Sequence, residues 1–531
     1  MAAASLSLPA VKTFGGVSYK WTVLMVTVVG MFMSILDQTV VNVALPKIIS
    51  VFGASIDSVQ LVVTGYALAL AIIIPATSYL QDTFGSKRMW MFSLAAFTIG
   101  STLCGLSWNT QSLIVFRVLQ GLGGGMLQPL AFAMIYRVVP PAERGFTMGL
   151  LGIPLLVAPA IGPALGGWLV EFVDWRTIFM INVPIGALGL FMSISFLRES
   201  ETKPDLKFDL AGFLTAAVAF SCSLVALSNA PQDGWTAPYI VVLLIVSVIF
   251  FAAWIVVELR TPEPLLDLRL FQDGTFTVGA VVLFVVTTAL FGASFLLPLF
   301  LQEVRGLGAL ETGLLLLPQG VAAAVIMPVG GKLFDKIGAR PLLLFGLMLL
   351  AVATWIYISL DVTTPNHIVV LALILRGASL GFIFMPLQTA MLNRVPLQKI
   401  SSGSSLTSAI RQLFASFGIA VVATVLTSRQ TFHQAVLAER VTAGSPVVQR
   451  MTAAIGAMAA QHGWTLTQAK GFFVATMDGQ VAQRASVMAF DDAFLFLTIM
   501  CIVAIIPTLF LGRGRGTVGG PGGAGATPIL D

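Results

Sequence analysis

Asp37 stands well inside an apolar run, 21–46 (WTVLMVTVVGMFMSILDQTVVNVALP), with Thr39 and Asn42 close behind it. The run is long enough to cross a bilayer, for which about 20 apolar residues suffice. A carboxylate in hydrocarbon costs about 2.5–3.5 kcal/mol even on insertion-based scales, so it faces a bundle interior or a water-filled cavity. Asp37 is therefore a candidate proton or cation site. Arg117 is just as costly in a second apolar run, where it opens Arg117-x-x-Gln120-Gly121-x-Gly123-Gly124-Gly125. The two are natural partners. A neighbouring cation favours the charged carboxylate and dry surroundings favour the neutral one. Opening and closing a cavity around the pair could load and unload a proton; a static clamp between two helices is the alternative.

Other polar groups sit in apolar context. Gln38, Asn42, Gln60, Tyr66, Gln128, Gln319, Gln388 and Arg411 are candidates to line a substrate cavity, with inter-helix hydrogen bonds as the competing use. A second set suits gating. Ser78-Tyr-Leu-Gln-Asp82-Thr-Phe-Gly85-Ser-Lys87-Arg88 recurs as Gly331-Lys-Leu-Phe-Asp335-Lys-Ile-Gly338-Ala-Arg340. Gly85 and Gly338 permit tight turns, and the bases pin one end. Asp82 and Asp335 are placed where a carboxylate meets the positive N-terminal end of a neighbouring helix. Ser401-Ser402-Gly403-Ser404, rich in N-cap residues, is such a start for Asp82. A contact there would latch two halves of the molecule; a plain topological anchor is the other reading. Gly152-x-Pro154 and Pro159-x-x-Gly162-Pro163-x-x-Gly166-Gly167 place small residues four apart, so two backbones can approach closely. The prolines can kink that helix.

These residues need many spanning helices to hold them. The 531-residue chain is 57% hydrophobic and 10% charged, with mean hydropathy +0.94. A soluble protein has about 25% charged residues, so this is a polytopic membrane protein. Residues 1–20 lack the apolar core of a secretory signal. The net charge of +5 is carried in short connectors, an orientation signal rather than a nucleic-acid surface. Cys104, Cys222 and Cys501 all fall in apolar segments and form no metal-ligand or disulfide pattern.

Apolar segments predict fourteen helices, near 20–45, 57–80, 88–107, 111–134, 145–170, 175–197, 209–229, 238–258, 275–302, 308–333, 340–360, 366–390, 402–428 and 490–512. Lys12, Lys20, Lys87, Arg88, Arg137, Arg144, Arg198, Lys203, Lys207, Arg260, Arg269, Lys336, Arg340, Arg394, Lys399, Arg513 and Arg515 share one side. The positive-inside rule makes that side, and both termini, cytoplasmic. Arg117 and Arg376 follow Asp82 and Asp335 at similar distances, so the chain carries a repeat with two extra helices between its halves. The expected organisation is a cytoplasmic segment 1–19, a six-helix bundle 20–197, a linker 198–274 with two extra helices, a second bundle 275–512 and a disordered cytoplasmic tail 513–531. The second bundle includes a long external loop, 429–489, in which 446–461 and 467–489 have helical composition.

Taken together, Leu36-Asp37-x-Thr39-x-x-Asn42-x-Ala44-Leu45-Pro46, the paired Asp/Gly connectors, the Arg117–Gln120–Gly121 run, Gly162-Pro163-x-x-Gly166-Gly167 and Trp175-Arg176-x-x-Phe179-x-x-Asn182-x-Pro184-x-Gly186 resemble the major facilitator superfamily. The resemblance, from about residue 20 to 512, is to its fourteen-helix drug:proton antiporters of the EmrB/QacA type, and to EmrB more than QacA because of 429–489. It implies an all-α integral membrane protein of two six-helix bundles plus two helices. It further implies multidrug efflux by alternating access, proton coupling at Asp37 with Arg117, and gating by Asp82 and the 152–167 motif. Through 429–489 it implies a membrane-fusion adaptor protein as partner where the cell has an outer membrane, and hence the inner membrane as location. Ser78, Thr83 and Ser86 depart from the family's connector, which implies a weaker latch, and Leu61 stands for its usual tryptophan.

No cofactor is expected beyond the proton gradient, and no metal. Gly330-Gly331-Lys332-Leu333 is not an ATP-binding loop, and His367, His433 and His462 belong to outer segments, so an enzyme is not expected. The scarcity of acids fits neutral or weakly acidic lipophiles at least as well as cations. A lipid or metabolite exporter, and a membrane sensor or structural protein without turnover, are the alternatives.

Overall fold

A helix satisfies its own backbone hydrogen bonds, which apolar surroundings demand, and each predicted apolar segment is helical in the computed structural model. It describes residues 18–439 and 446–512; Lys12, Arg440, Arg513, Arg515 and the tail 513–531, with most of the segment 1–19, lie outside them. The helices are α1 (Tyr19–Phe52), α2 (Ile56–Phe84), α3 (Ser86–Gly105), α4 (Thr110–Val138), α5 (Arg144–Phe172), α6 (Asn182–Phe196), α7 (Leu210–Asp233), α8 (Pro238–Arg260), α9 (Gly274–Leu299), α10 (Ala309–Ile337), α11 (Ala339–Tyr357), α12 (Asn366–Leu392), α13 (Ile400–Glu439), α14 (Pro446–His462) and α15 (Leu466–Val503). Thirteen described helical segments are long and apolar enough to cross a membrane. The fourteenth predicted span is α3, twenty residues long, made more polar by Lys87 and Arg88 in its first turn.

Two departures from the sequence reading are informative. The predicted helix 175–197 is broken: a single turn, Thr177–Met180, precedes α6. Pro184 has no N–H to give and its ring crowds the carbonyl of Met180, so the helix restarts with the proline in its first turn. The external stretch is largely continuous with the spans. α13 runs on to Glu439, and one helix, α15, capped by Thr465 with Gln468, takes in the predicted helix 467–489 and the next as far as Val503, where a turn at Ala504 leads to a short helix, Ile505–Leu509. Hydropathy shows where a helix leaves an apolar layer, not where it ends.

The helices pack as two sets with the same pattern. In the first, α1 lies on α5, α2 on α4, and α3 on α4 and α6. In the second, α9 lies on α13, α10 on α12, and α11 on α12 and α15. The sets meet along α5–α10, the most extensive contact in the molecule, and along α2–α13. Of the inserted pair, α7 packs against both α2 and α13, so the insert touches both sets. One end of the bundle gathers Lys87, Arg88, Arg137, Arg144, Lys203 and Lys399 and is called the basic face below. Tyr19, whose hydroxyl accepts from the Arg198 N–H, and Gly512, beside Thr275 and Arg394, both lie there.

Candidate functional site

Asp37, near the middle of α1, is 1% exposed, and so is Arg117 on α4. Arg117 Nη1 donates to Asp37 Oδ2 at 2.5 Å. The other carboxylate oxygen accepts from Gln120 Nε2 at 2.9 Å and Asn182 Nδ2 at 2.8 Å. Arg117 also donates to Gln120 Oε1 at 2.8 Å and to the Val62 carbonyl at 3.4 Å. Its guanidinium lies 4.0 Å from the centre of the Tyr66 ring. Ser101 of α3 accepts from Asn182 and donates to the Phe179 carbonyl. Five helices thus converge on one acid.

Local structure explains the convergence. Gln120 lies one turn along α4 from Arg117, so both side chains leave one face. The break before α6 brings Asn182 to the acid. The glycines of α4 form a packing face, not a phosphate loop. A Cβ at Gly121 or Gly125 would come within 2.8 Å of an α2 backbone carbonyl oxygen, and one at Gly123 within 2.5 Å of the Phe97 nitrogen. Asn182 and Gln120 are absent from the candidates drawn from sequence. A neutral amide in an apolar segment stands out far less than a charge, and only the Trp175–Gly186 motif marked Asn182.

Beside this network, a small cavity of about 30 Å³ is lined by Ser34, Gln38, Leu70, Ile74, Gln128 and Gln412, among others. Asn42, one turn beyond Gln38, is exposed. The remaining cavity candidates lie elsewhere. Gln319 accepts from Arg376 Nη1 at 2.8 Å, and Gln388 donates to Thr407 Oγ1 at 2.9 Å. Tyr66 backs Arg117, and Gln60 is half-buried near the start of α2. Arg411 is buried next to the cavity residue Gln412. A drug-sized ligand fills roughly 300 Å³ or more, so a substrate fits only after the helices part.

At the basic face the two sets are tied. Asp82 accepts from Ser401 Oγ at 2.6 Å, Arg137 Nη2 at 2.8 Å and Lys203 Nζ at 3.3 Å. Asp82 meets the Ser401 side chain rather than the backbone N–H groups of α13. Asp335 meets backbone: it accepts from the Gly145 and Phe146 N–H groups, at 2.8 and 3.0 Å, at the start of α5. Tyr136 of α4 donates to the Thr389 carbonyl of α12 at 2.9 Å. Gly85 and Gly338 turn the connectors at φ +93° and +84°, where a side chain is strained. Lys87 and Arg88 begin α3, where their N–H groups donate to Glu199. Arg340 is half-buried at the start of α11, and Arg376 lies mid-α12.

The α5–α10 seam is close along its length. A Cβ at Gly331 would lie 2.1 Å from the Gly145 carbonyl oxygen, and one at Gly313 2.5 Å from the Ala164 nitrogen. Gly162 and Gly166 lie against Thr39 and Val40 of α1, beside the Asp37 turn, and Gly167 faces Leu310. Pro163 lies within the unbroken α5.

The segment 261–267, which follows α8, adds a strap. The Leu265 carbonyl accepts from Ser78 Oγ of α2 at 2.6 Å and from Ser402 Oγ of α13 at 3.3 Å. Asp267 accepts from Lys399 at 2.6 Å, and its N–H donates to Ser402 at 2.8 Å. Leu265 and Leu266 are buried beneath. Ser78, the departure expected to weaken the latch, holds this strap. A cavity of about 410 Å³ lies between strap, Tyr79 and Lys203.

The sequence model of the Major Facilitator Superfamily matches residues 27–419. The chain belongs to that superfamily. It is 32% identical to the multidrug export protein EmrB of Escherichia coli over 93% of this chain and 95% of that protein. It is 34% identical to a multidrug resistance protein B homolog of Mycobacterium tuberculosis, over 76% of this chain and 75% of that one. An uncharacterized MFS-type transporter of Bacillus subtilis, YhcA, is 33% identical over 92% of each chain. Among solved structures, the human organic anion transporter MFSD10 shares the fold, with a TM-score of 0.56 at 14% identity, covering 91% of this chain and 99% of that one.

Proposed function

We propose that this transporter exports lipophilic small molecules in exchange for protons, with the basic face and both termini in the cytoplasm. The observation that carries the reading is the mid-bundle acid Asp37, held by three donors from two other helices beside a small cavity. Protonation removes the charge that Arg117, Gln120 and Asn182 hold, so the network rearranges as the acid gains or loses its proton. Thr39 and Val40, two and three residues beyond Asp37 on α1, pack against Gly162 and Gly166 of α5, and α5 also forms the seam between the sets. A shift of α1 at the acid therefore reaches the moving interface through its next turn. The basic-face ties hold the cytoplasmic side shut in this conformation. No cofactor takes part; the proton gradient supplies the energy. The names of the EmrB and multidrug resistance relatives support drug efflux, and the projecting α13–α15 stretch offers a surface for an adaptor protein in the inner membrane.

The test is efflux from proteoliposomes of cationic, neutral and acidic lipophiles, with and without a pH gradient. Gradient-dependent export of at least one class is expected. Export indifferent to the gradient overturns the coupling, and no export of any class overturns the function.

A further inference from the structure

Asp37 balances Arg117, but the second set of helices holds two buried cations that meet no carboxylate among the described residues. Arg376 is 1% exposed; its Nε has no partner, but both its terminal nitrogens are held by neutral oxygens: Gln319 Oε1 at 2.8 Å, the Leu290 carbonyl at 2.6 Å and Ser294 Oγ at 3.1 Å. Arg411 is held far more weakly. It is 5% exposed, and its one hydrogen bond, to Ser408 on its own helix, is 3.5 Å long. Its Nη1 has no partner. The guanidinium lies 5.5 Å from the centre of the Phe132 ring and 5.7 Å from that of Phe384. Phe132 belongs to α4 in the first set, and Phe384 to α12 in the second. Phe132 is one turn from the cavity residue Gln128, and Gln412 of the cavity is the next residue after Arg411.

An uncompensated cation in a dry interior costs several kcal/mol. Ring faces offset only part of that, and a planar guanidinium is shaped to take a carboxylate by two parallel hydrogen bonds. We propose that Arg411 is the anion-recognising group of the substrate path, selecting lipophilic molecules that carry a carboxylate or phenolate. The rings that cap it come from opposite sets. Separation of the sets at the basic face withdraws Phe132 and opens Arg411 to a substrate's anionic group. Closure returns the ring and leaves the anion no room, so the site binds on the loading side and lets go on the other. The inference rests on the export reading above and adds its substrate class.

Three probes with one aryl-alkyl body test it, bearing a carboxylate, its methyl ester or a quaternary ammonium, in proteoliposomes under a fixed pH gradient. Wild-type protein exports the carboxylate with the lowest KM. Arg411→Gln raises that KM about tenfold or more, as loss of a charged hydrogen-bond partner does, while ester and ammonium kinetics stay near wild type. Arg411→Lys keeps the charge without the fork and gives a smaller rise in the carboxylate-to-ester KM ratio, a readout that stands if the glutamine variant does not fold. Equal losses for all three probes, or no change in the ratio for either variant, reduce Arg411 to a clamp and overturn the proposal. Wild-type export of ester and ammonium but not carboxylate overturns it while leaving export intact. Failure to move any probe overturns export itself.

Discussion

At the residue scale, Asp37 and Arg117 are a buried pair whose two members are not equivalent under substitution. Removing Arg117 as alanine leaves a carboxylate unpaired in a dry interior, a change that costs about 3–5 kcal/mol in comparable sites. Asp37→Asn keeps the shape and the amide contacts but strands the guanidinium. The double substitution removes both charges, so its loss of thermal stability in detergent is expected to be smaller than the sum of the singles. Strict additivity would show that the two do not act as a unit. Asn182→Ala takes one of three donors from the acid and should lower stability by about 1.5–3 kcal/mol, the range for a hydrogen bond to a charged group. Asp37 and Arg117 were readable from sequence because a charge in an apolar run has few uses. Asn182 was not, because its role depends on a helix break that only packing makes visible. Arg137 and Lys203 read as orientation charges, and their hold on Asp82 crosses between segments far apart in the chain.

At the element scale, α5 and α10 meet so closely that added side-chain volume at their glycines is expected to keep the basic face from closing. Gly331→Val places a branched side chain where the Gly145 carbonyl already lies. The expected result is a protein that stays open at the basic face: a cysteine at position 389 reacts faster with a water-soluble maleimide, and transport falls strongly. An unchanged labelling rate would mean that the seam adjusts and is not a stop. The strap makes a second element-scale prediction. Ser78→Ala with Ser402→Ala removes both side-chain donors to the Leu265 carbonyl. Each such bond contributes about 1 kcal/mol, so the pair should shift the closed-to-open ratio roughly thirtyfold toward the open state, read as the distance between spin labels at the basic ends of α2 and α13. The number and order of the helices were legible because hydropathy reports them directly. The strap was not, because it ties through a backbone carbonyl that any residue at 265 would supply. The lengths of α13 and α15 were not either, since a polar helix and a polar loop look alike in composition.

At the scale of the whole molecule, two matched sets of helices meet along two seams, with one acid near the middle of the first set and two cations buried in the second. The paired Asp/Gly connectors announced the repeat in the sequence, and the packing pattern repeats with them. The inserted α7–α8 pair touches both sets, so shortening the strap by two residues should slow opening at the basic face without altering substrate affinity, seen as a fall in kcat with KM near wild type. A change in KM alone would place the insert on the substrate path instead. The charge of Asp37 is expected to be coupled to substrate movement. The direct measurement is substrate-driven proton release from proteoliposomes, comparing wild type with Asp37→Asn at matched reconstitution. Proton release on substrate addition in wild type and none in the variant is the predicted result; equal release from both would contradict it.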